Sequence, residues 1–163
     1  MSDADLMALM KAIVAQGDAA TRMLAASPAL AMACFAEGAT RHDANAHFID
    51  AIRHYVYAGD TALHVAAAAY RDAMARELIA AGADPNATDK SGVAPLHRAV
   101  RTRCAAAVKA LIAGGADPRR PNKNGSTPLR LAMQTTGRGG SGSPAAKAEQ
   151  AQIVALLRAY GDG

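Results

Sequence analysis

The feature that most constrains this chain is a periodicity of 33 residues. Gly59, Gly92 and Gly125 are spaced by 33, as are Leu63, Leu96 and Leu129, and the pairs Leu78/Leu111, Gly82/Gly115, Asp84/Asp117 and Pro85/Pro118 keep the same interval. Similarity at a fixed period of this length is the signature of a solenoid, in which one small unit is stacked repeatedly because it cannot bury its apolar face alone. The unit is helical by composition. Aromatic residues make up 4% of the chain and Trp is absent, so a 51% hydrophobic content comes largely from Ala, Leu, Ile, Val and Met, among which Ala and Leu are strong helix formers. At 163 residues the chain is one domain or a short repeat array with enough apolar content for a continuous core.

The three units read "GDTALHVAAAAYRDAMARELIAAGADPN", "GVAPLHRAVRTRCAAAVKALIAGGADPR" and "GSTPLRLAMQTTGRGGSGSPAAKAEQAQIVALLRAYG". Pro95 and Pro128 suit a first helical turn, where the missing N–H costs nothing. Gly82 and Gly115 suit the left-handed residue that ends a second helix. Asp84-Pro85-Asn86 and Asp117-Pro118 then turn the chain outward. From Tyr57 to Gly161 the pattern resembles the ankyrin repeat, whose consensus runs D-x-x-G-x-T-P-L-H-x-A-A, a short turn, a second apolar helix, then G-A-D. The stretch "HYVYAGDTALH" and a glycine-rich insert are similar to a bacterial variety of that family. The resemblance implies an all-α solenoid of helix-turn-helix units with finger loops, with repeats at 59–91, 92–124 and 125–161.

Departures from the consensus fall at the helix starts. Ala62 replaces Pro in the first unit, Ala94 replaces Thr in the second and Arg130 replaces His in the third, so each cap is expected to weaken by up to about 1 kcal/mol. Arg98 stands where the family places Leu; it is expected either to lay its stem on the next repeat with its head in water or to join a functional patch. Residues 1–58 show the same architecture in degraded form, as an N-terminal cap and a diverged repeat. Leu6, Leu9, Met10, Ile13 and Val14 form one helical stripe, and Met23-Leu24 lies on a second helix ended before Pro28. Leu30 to Phe35, and then Phe48, Ile49, Ile52, Tyr55 and Val56, read as two further helices, giving about five helix pairs in all.

The interval from the motif Leu to the closing residue is 19 in the first two units (Leu63 to Gly82) and 32 in the third (Leu129 to Gly161), so the last repeat carries 13 extra residues near 135–147. Within them Gly137-Arg138-Gly139-Gly140-Ser141-Gly142 satisfies the dinucleotide fingerprint G-x-G-x-x-G. That fingerprint needs a strand before it and the end of a second strand about 20 residues later. A helix is expected on both sides here, and the stretch reads as a flexible spacer with at most an anion or partner contact through Arg138.

Candidate chemistry is sparse. Asp43, His47, Asp50 and His54 could share a helix face at metal-ligand spacing, although a solvated amphipathic helix has the same pattern. Cys104 falls at a helix start beside Arg103, where its thiol could be acidified; a small core residue is the plainer reading. His64 and His97 occupy the structural histidine position of the family. The expectation is a non-catalytic protein without cofactor or metal.

Charge is more informative. From residue 89 to 130 there are nine basic side chains against Asp89 and Asp117, while residues 1–58 hold four basic and six acidic. In ankyrin arrays the finger tips and first helices form one concave surface for partners. Carrying those positions over selects Tyr57 and Asp60, then Lys90, Ser91, Val93, Arg101 and Thr102, then Lys123, Asn124, Ser126 and Gln134. Lys90, Arg101 and Lys123 give this surface a basic centre with Tyr57 and Val93 as apolar anchors, so the expected partner is an acidic segment of another protein. The alternative is electrostatic nucleic-acid binding by residues 89–130, against which the shortage of stacking aromatics counts. Asp3 and Asp5 stand where an export signal would be basic, and no apolar run approaches the roughly 20 residues of a membrane helix. Cys34 and Cys104 lack a C-x-x-C partner. A monomeric cytoplasmic protein with free thiols is expected.

Overall fold

The computed structural model describes residues 2–40, 42–134 and 142–161. Eight α-helices pair in sequence among them: α1 (Asp3–Ala15) with α2 (Ala19–Ala26), α3 (Ala62–Ala68) with α4 (Asp72–Ala80), α5 (Pro95–Arg101) with α6 (Ala105–Ala113), and α7 (Pro128–Met133) with α8 (Pro144–Gly161). The first members stack on one another in the order α1, α3, α5, α7, and the second members form a parallel outer layer. The solenoid expected from the period is present.

Inner helices α3 and α5 are covered on both sides, which explains their sequence. Every residue from Ala62 to Ala68 and from Pro95 to Val100 is buried, and alanines let neighbouring backbones approach while Leu63 and Leu96 fill the space between layers. Outer helices α4 and α6 bury one stripe, with Leu78 and Leu111 fully enclosed. They end as their glycines require: Gly82 (φ 103°) and Gly115 (φ 98°) are left-handed, and the following N–H groups of Ala83 and Ala116 each reach back to Leu78 and Leu111 carbonyls at 2.9 Å. Tyr70 (φ 60°) and Arg103 (φ 58°) make the same kind of reversal between inner and outer helix without a glycine.

Residues 30–56 correct the expectation of a further helix pair. A 3-10 turn covers Pro28–Ala31, and the later apolar run is a two-stranded antiparallel hairpin, β1 (Phe48–Ile49) and β2 (His54–Tyr55), pairing Phe48 with Tyr55 and Ile49 with His54. A 3-10 turn at Asp50–Ile52 and a left-handed Arg53 (φ 49°) reverse the chain. Aromatic and β-branched residues favour this pairing, and the Phe48 and Tyr55 rings meet at 4.6 Å. The described residues therefore hold four helix pairs, not five.

The extra length of the last repeat is also not all spacer. Residues 135–141 lie outside the described residues, but from Pro144 the chain is helical, and α8 runs for 18 residues where α4 and α6 have nine each. Ser143 accepts the Ala146 N–H at 3.2 Å and Pro144 opens the helix. The added turns are used: Glu149 on α8 accepts the Ala105 N–H at 2.9 Å, capping the start of α6.

Candidate binding surface of the fingers and inner helices

The second and third finger turns are each built by one acidic or amide side chain. The Asp89 carboxylate accepts the N–H groups of Ser91 at 2.7 Å and Val93 at 3.0 Å; 33 residues on, the Asn122 amide oxygen accepts those of Asn124 and Ser126, both at 3.0 Å. Successive fingers are joined edge to edge, Lys90 N–H to the Ala58 carbonyl at 2.8 Å and Lys123 N–H to that of Ser91 at 3.0 Å. Histidines lock the fingers to the helices. His64 accepts the Thr61 N–H on Nδ1 at 3.1 Å and donates from Nε2 to the Val93 carbonyl at 2.9 Å. His97 accepts from the Ala94 N–H at 3.0 Å and lies 3.3 Å from the Ser126 carbonyl. Both rings serve as one acceptor and one donor, which is the neutral form. Burial lowers the pKa of each, that of His64 to about 4.

On this frame the expected contact residues separate. Lys90, Ser91, Arg101, Lys123, Asn124 and Gln134 are exposed, and Tyr57, Val93 and Ser126 are half-buried. The Lys90 ammonium stands 5.1 Å from the centre of the Tyr57 ring, and Lys123 Nζ donates to the Lys90 carbonyl at 2.6 Å. Tyr57, Lys90 and Lys123 are thus one connected group at the finger tips. Arg101, Asn124, Ser126 and Gln134 come together further along, on a cleft of about 530 Å³ between α5, the third finger, α7 and α8.

One expected contact, Asp60, is buried away from the surface, and another, Thr102, is half-buried with its hydroxyl engaged in its own helix. Asp60 is 1% exposed, with its carboxylate accepting the Tyr57 N–H at 2.8 Å and facing Arg98. The Thr102 hydroxyl bonds back to the Arg98 and Ala99 carbonyls at 3.1 and 3.2 Å, as threonines near helix ends do.

Arg98 follows neither expectation. Its head is inside the protein, 2.9 Å from Asp89 and 3.3 Å from Asp60, with the His54 ring nitrogen accepting from it at 2.8 Å. One cation therefore ties the hairpin, the first repeat and the second finger to α5. Desolvation and the Arg98 charge lower the His54 pKa to about 4, while burial raises that of Asp60. Of the nine basic residues between 89 and 130, this one is absent from the surface field.

The other candidates resolve similarly. His47 lies on a 3-10 turn, Asp50 on another and His54 on a strand, so the proposed metal face is not formed. No group of three metal-ligating side chains occurs among the described residues. Cys104 is buried and its pKa is raised by that burial, the reverse of acidification; Cys34 is exposed. Of the glycine fingerprint, 137–141 lies outside the described residues, and the element before it is helix α7. No helix among the described residues is long and apolar enough to cross a membrane. Sequence reasoning missed Arg103, Asn122 and Gln150 as cleft residues; Asn122 was detectable as the 33-residue counterpart of Asp89, whereas nothing local marks Gln150.

The family model for ankyrin repeats matches in three copies, over residues 2–122 and 63–140. A 47-residue stretch is 51% identical to human Neurogenic locus notch homolog protein 4; this is 29% of the present chain and 2% of that much longer protein. The matched residues, the 33-residue register and the stacked helix pairs joined through finger turns agree, and the chain belongs to the ankyrin-repeat family.

Proposed function

We propose that this chain is a non-catalytic protein-interaction module that grips an acidic segment of a partner protein with its finger and inner-helix face. Ankyrin repeats are in general protein–protein interaction modules. The observation that supports the finer reading is a line of exposed cations in two groups, Lys90 and Lys123 beside the Tyr57 ring and Arg101 on the cleft. A rigid ladder presents these cations, so little side-chain and loop order must be added on binding, and charge complementarity steers an acidic partner to them. The module acts as a monomer in the cytoplasm and needs no cofactor. Nucleic acid fits less well, since Arg98 is removed from the basic surface and the Tyr57 ring beside Lys90 is half-buried.

Capture from native-cell lysate with the wild-type chain beside an Arg101→Glu, Lys123→Glu double variant tests this. A protein held by the wild type and lost by the folded variant is the expected result. Equal recovery by both baits, or recovery of nuclease-sensitive material alone, overturns the assignment of the face.

A further inference from the structure

Two of the seams between successive inner helices, α3–α5 and α5–α7, are built from residues 33 apart and differ in their side chains. At the α3–α5 seam the Tyr70 hydroxyl donates to the Thr102 carbonyl, so a large aromatic side chain crosses the end of the seam. One repeat later the equivalent residue is Arg103, and α7 stops at Met133 with Gln134 in an extended conformation (φ −73°, ψ 114°). Among the described residues the α5–α7 seam bears the 530 Å³ cleft, within the size range of ligand pockets. Its floor is apolar, from Val100, Ala132 and Ile153, all at most 5% exposed. Its walls are amide, hydroxyl and guanidinium groups, and no carboxylate lines it among the described residues. Gln150 is held in place by its donation to the Ala132 carbonyl at 2.7 Å.

Resting on the concave-face reading, we propose that this cleft is the anchor pocket for an extended acidic peptide segment, one Asp or Glu carboxylate meeting Arg101 and an adjacent apolar side chain lying on the floor. The guanidinium matches a carboxylate with two parallel hydrogen bonds. The amides of Asn124, Gln134 and Gln150 can both donate to and accept from a peptide backbone. A free inorganic anion would leave the apolar floor unused, and a nucleic-acid base would find no aromatic ring there.

Amide chemical-shift mapping of the labelled chain tests the site directly. The probe is a pool of short peptides alternating Asp or Glu with Leu or Val, with a matched Lys pool, inorganic phosphate and a thymidine oligonucleotide as the other arms. The acidic pool is expected to shift Arg101, Asn124, Ser126, Gln134 and Gln150 together. Arg101→Glu, and Gln134→Trp as a filling change at an exposed position, are expected to weaken it by about tenfold or more. Binding that ignores both changes but falls in a Lys90→Glu, Lys123→Glu variant overturns the pocket and leaves the concave-face reading standing. The same shifts with phosphate or the oligonucleotide alone overturn peptide recognition. No binding of the acidic pool, or equal binding of the Lys pool, overturns both readings.

Discussion

The Arg98 guanidinium lies 2.9 Å from the Asp89 carboxylate, and the same nitrogen reaches Asp60 at 3.3 Å, with all three side chains at most 8% exposed. Asp89 is already spent on building its finger turn, so Arg98 links that turn to the start of α3 through Asp60. Among the described residues Arg98 Nε is buried without a hydrogen-bond partner, so the clamp carries a desolvation cost of its own.

Removing the cation alone is therefore expected to be severe. Arg98→Leu places at this position the residue that Leu131 provides one repeat later, yet leaves two buried carboxylates facing each other, a loss of about 3–5 kcal/mol. Adding Asp60→Asn removes one charge while keeping an acceptor for the Tyr57 N–H. The double variant is expected to recover at least half of the loss in chemical denaturation; equal or greater loss in the double variant would show that the clamp is not electrostatic.

Stability is expected to rise with pH across the acid range. His54 and His64 have pKa values lowered from 6.5 to about 4 in the folded chain, so between these values the unfolded chain binds more protons. Their contribution is fully present above about pH 6.5 and is lost as pH falls toward 4. Asp60 acts in the opposite sense just above 3.8, since its raised pKa makes protonation favour the folded state. Thermal melts between pH 4 and 8 should climb and then level, and His54→Gln together with His64→Gln should flatten the climb. An unchanged slope in that variant would place the titration elsewhere.

The histidine position should matter only where a finger follows. His97→Ala abandons the buried Ala94 N–H and the Ser126 carbonyl, at a cost of about 1–3 kcal/mol. Arg130, the equivalent residue of the last repeat, is exposed, and its backbone N–H donates to the Thr127 hydroxyl at 3.2 Å, a bond that does not involve the arginine side chain. Arg130→Ala is expected to stay within about 0.5 kcal/mol of wild type in urea unfolding. Comparable losses at both positions would contradict the locking role.

The sequence period reveals the stacked units because the same glycines, leucines and prolines recur wherever the same turn and layer recur. It says nothing about residues 30–56, where Phe48, Ile49, Ile52, Tyr55 and Val56 fit a helical stripe by spacing while their β-favouring types and the left-handed Arg53 decide for a hairpin. The clamp was legible only in hindsight of a pattern: Asp60 stands where the other units have Val93 and Ser126, and Arg98 where they have Val65 and Leu131. Two departures of opposite charge in adjacent repeats are a pair, and treating each alone places Asp60 at the surface and Arg98 either in water or in a functional patch. The cleft depends on the length of α8 and on where α7 stops, which no local motif records.

The most direct test of the central claim is amide hydrogen exchange on the chain bound to its captured partner, compared with the chain alone. The account predicts added protection on the finger residues around Lys90 and Lys123 and on the end of α5 at Arg101, with α4 and α6 unchanged. Protection confined to α4 and α6, or none on the fingers, would show that the partner docks on the outer layer and that the concave face is not the binding surface.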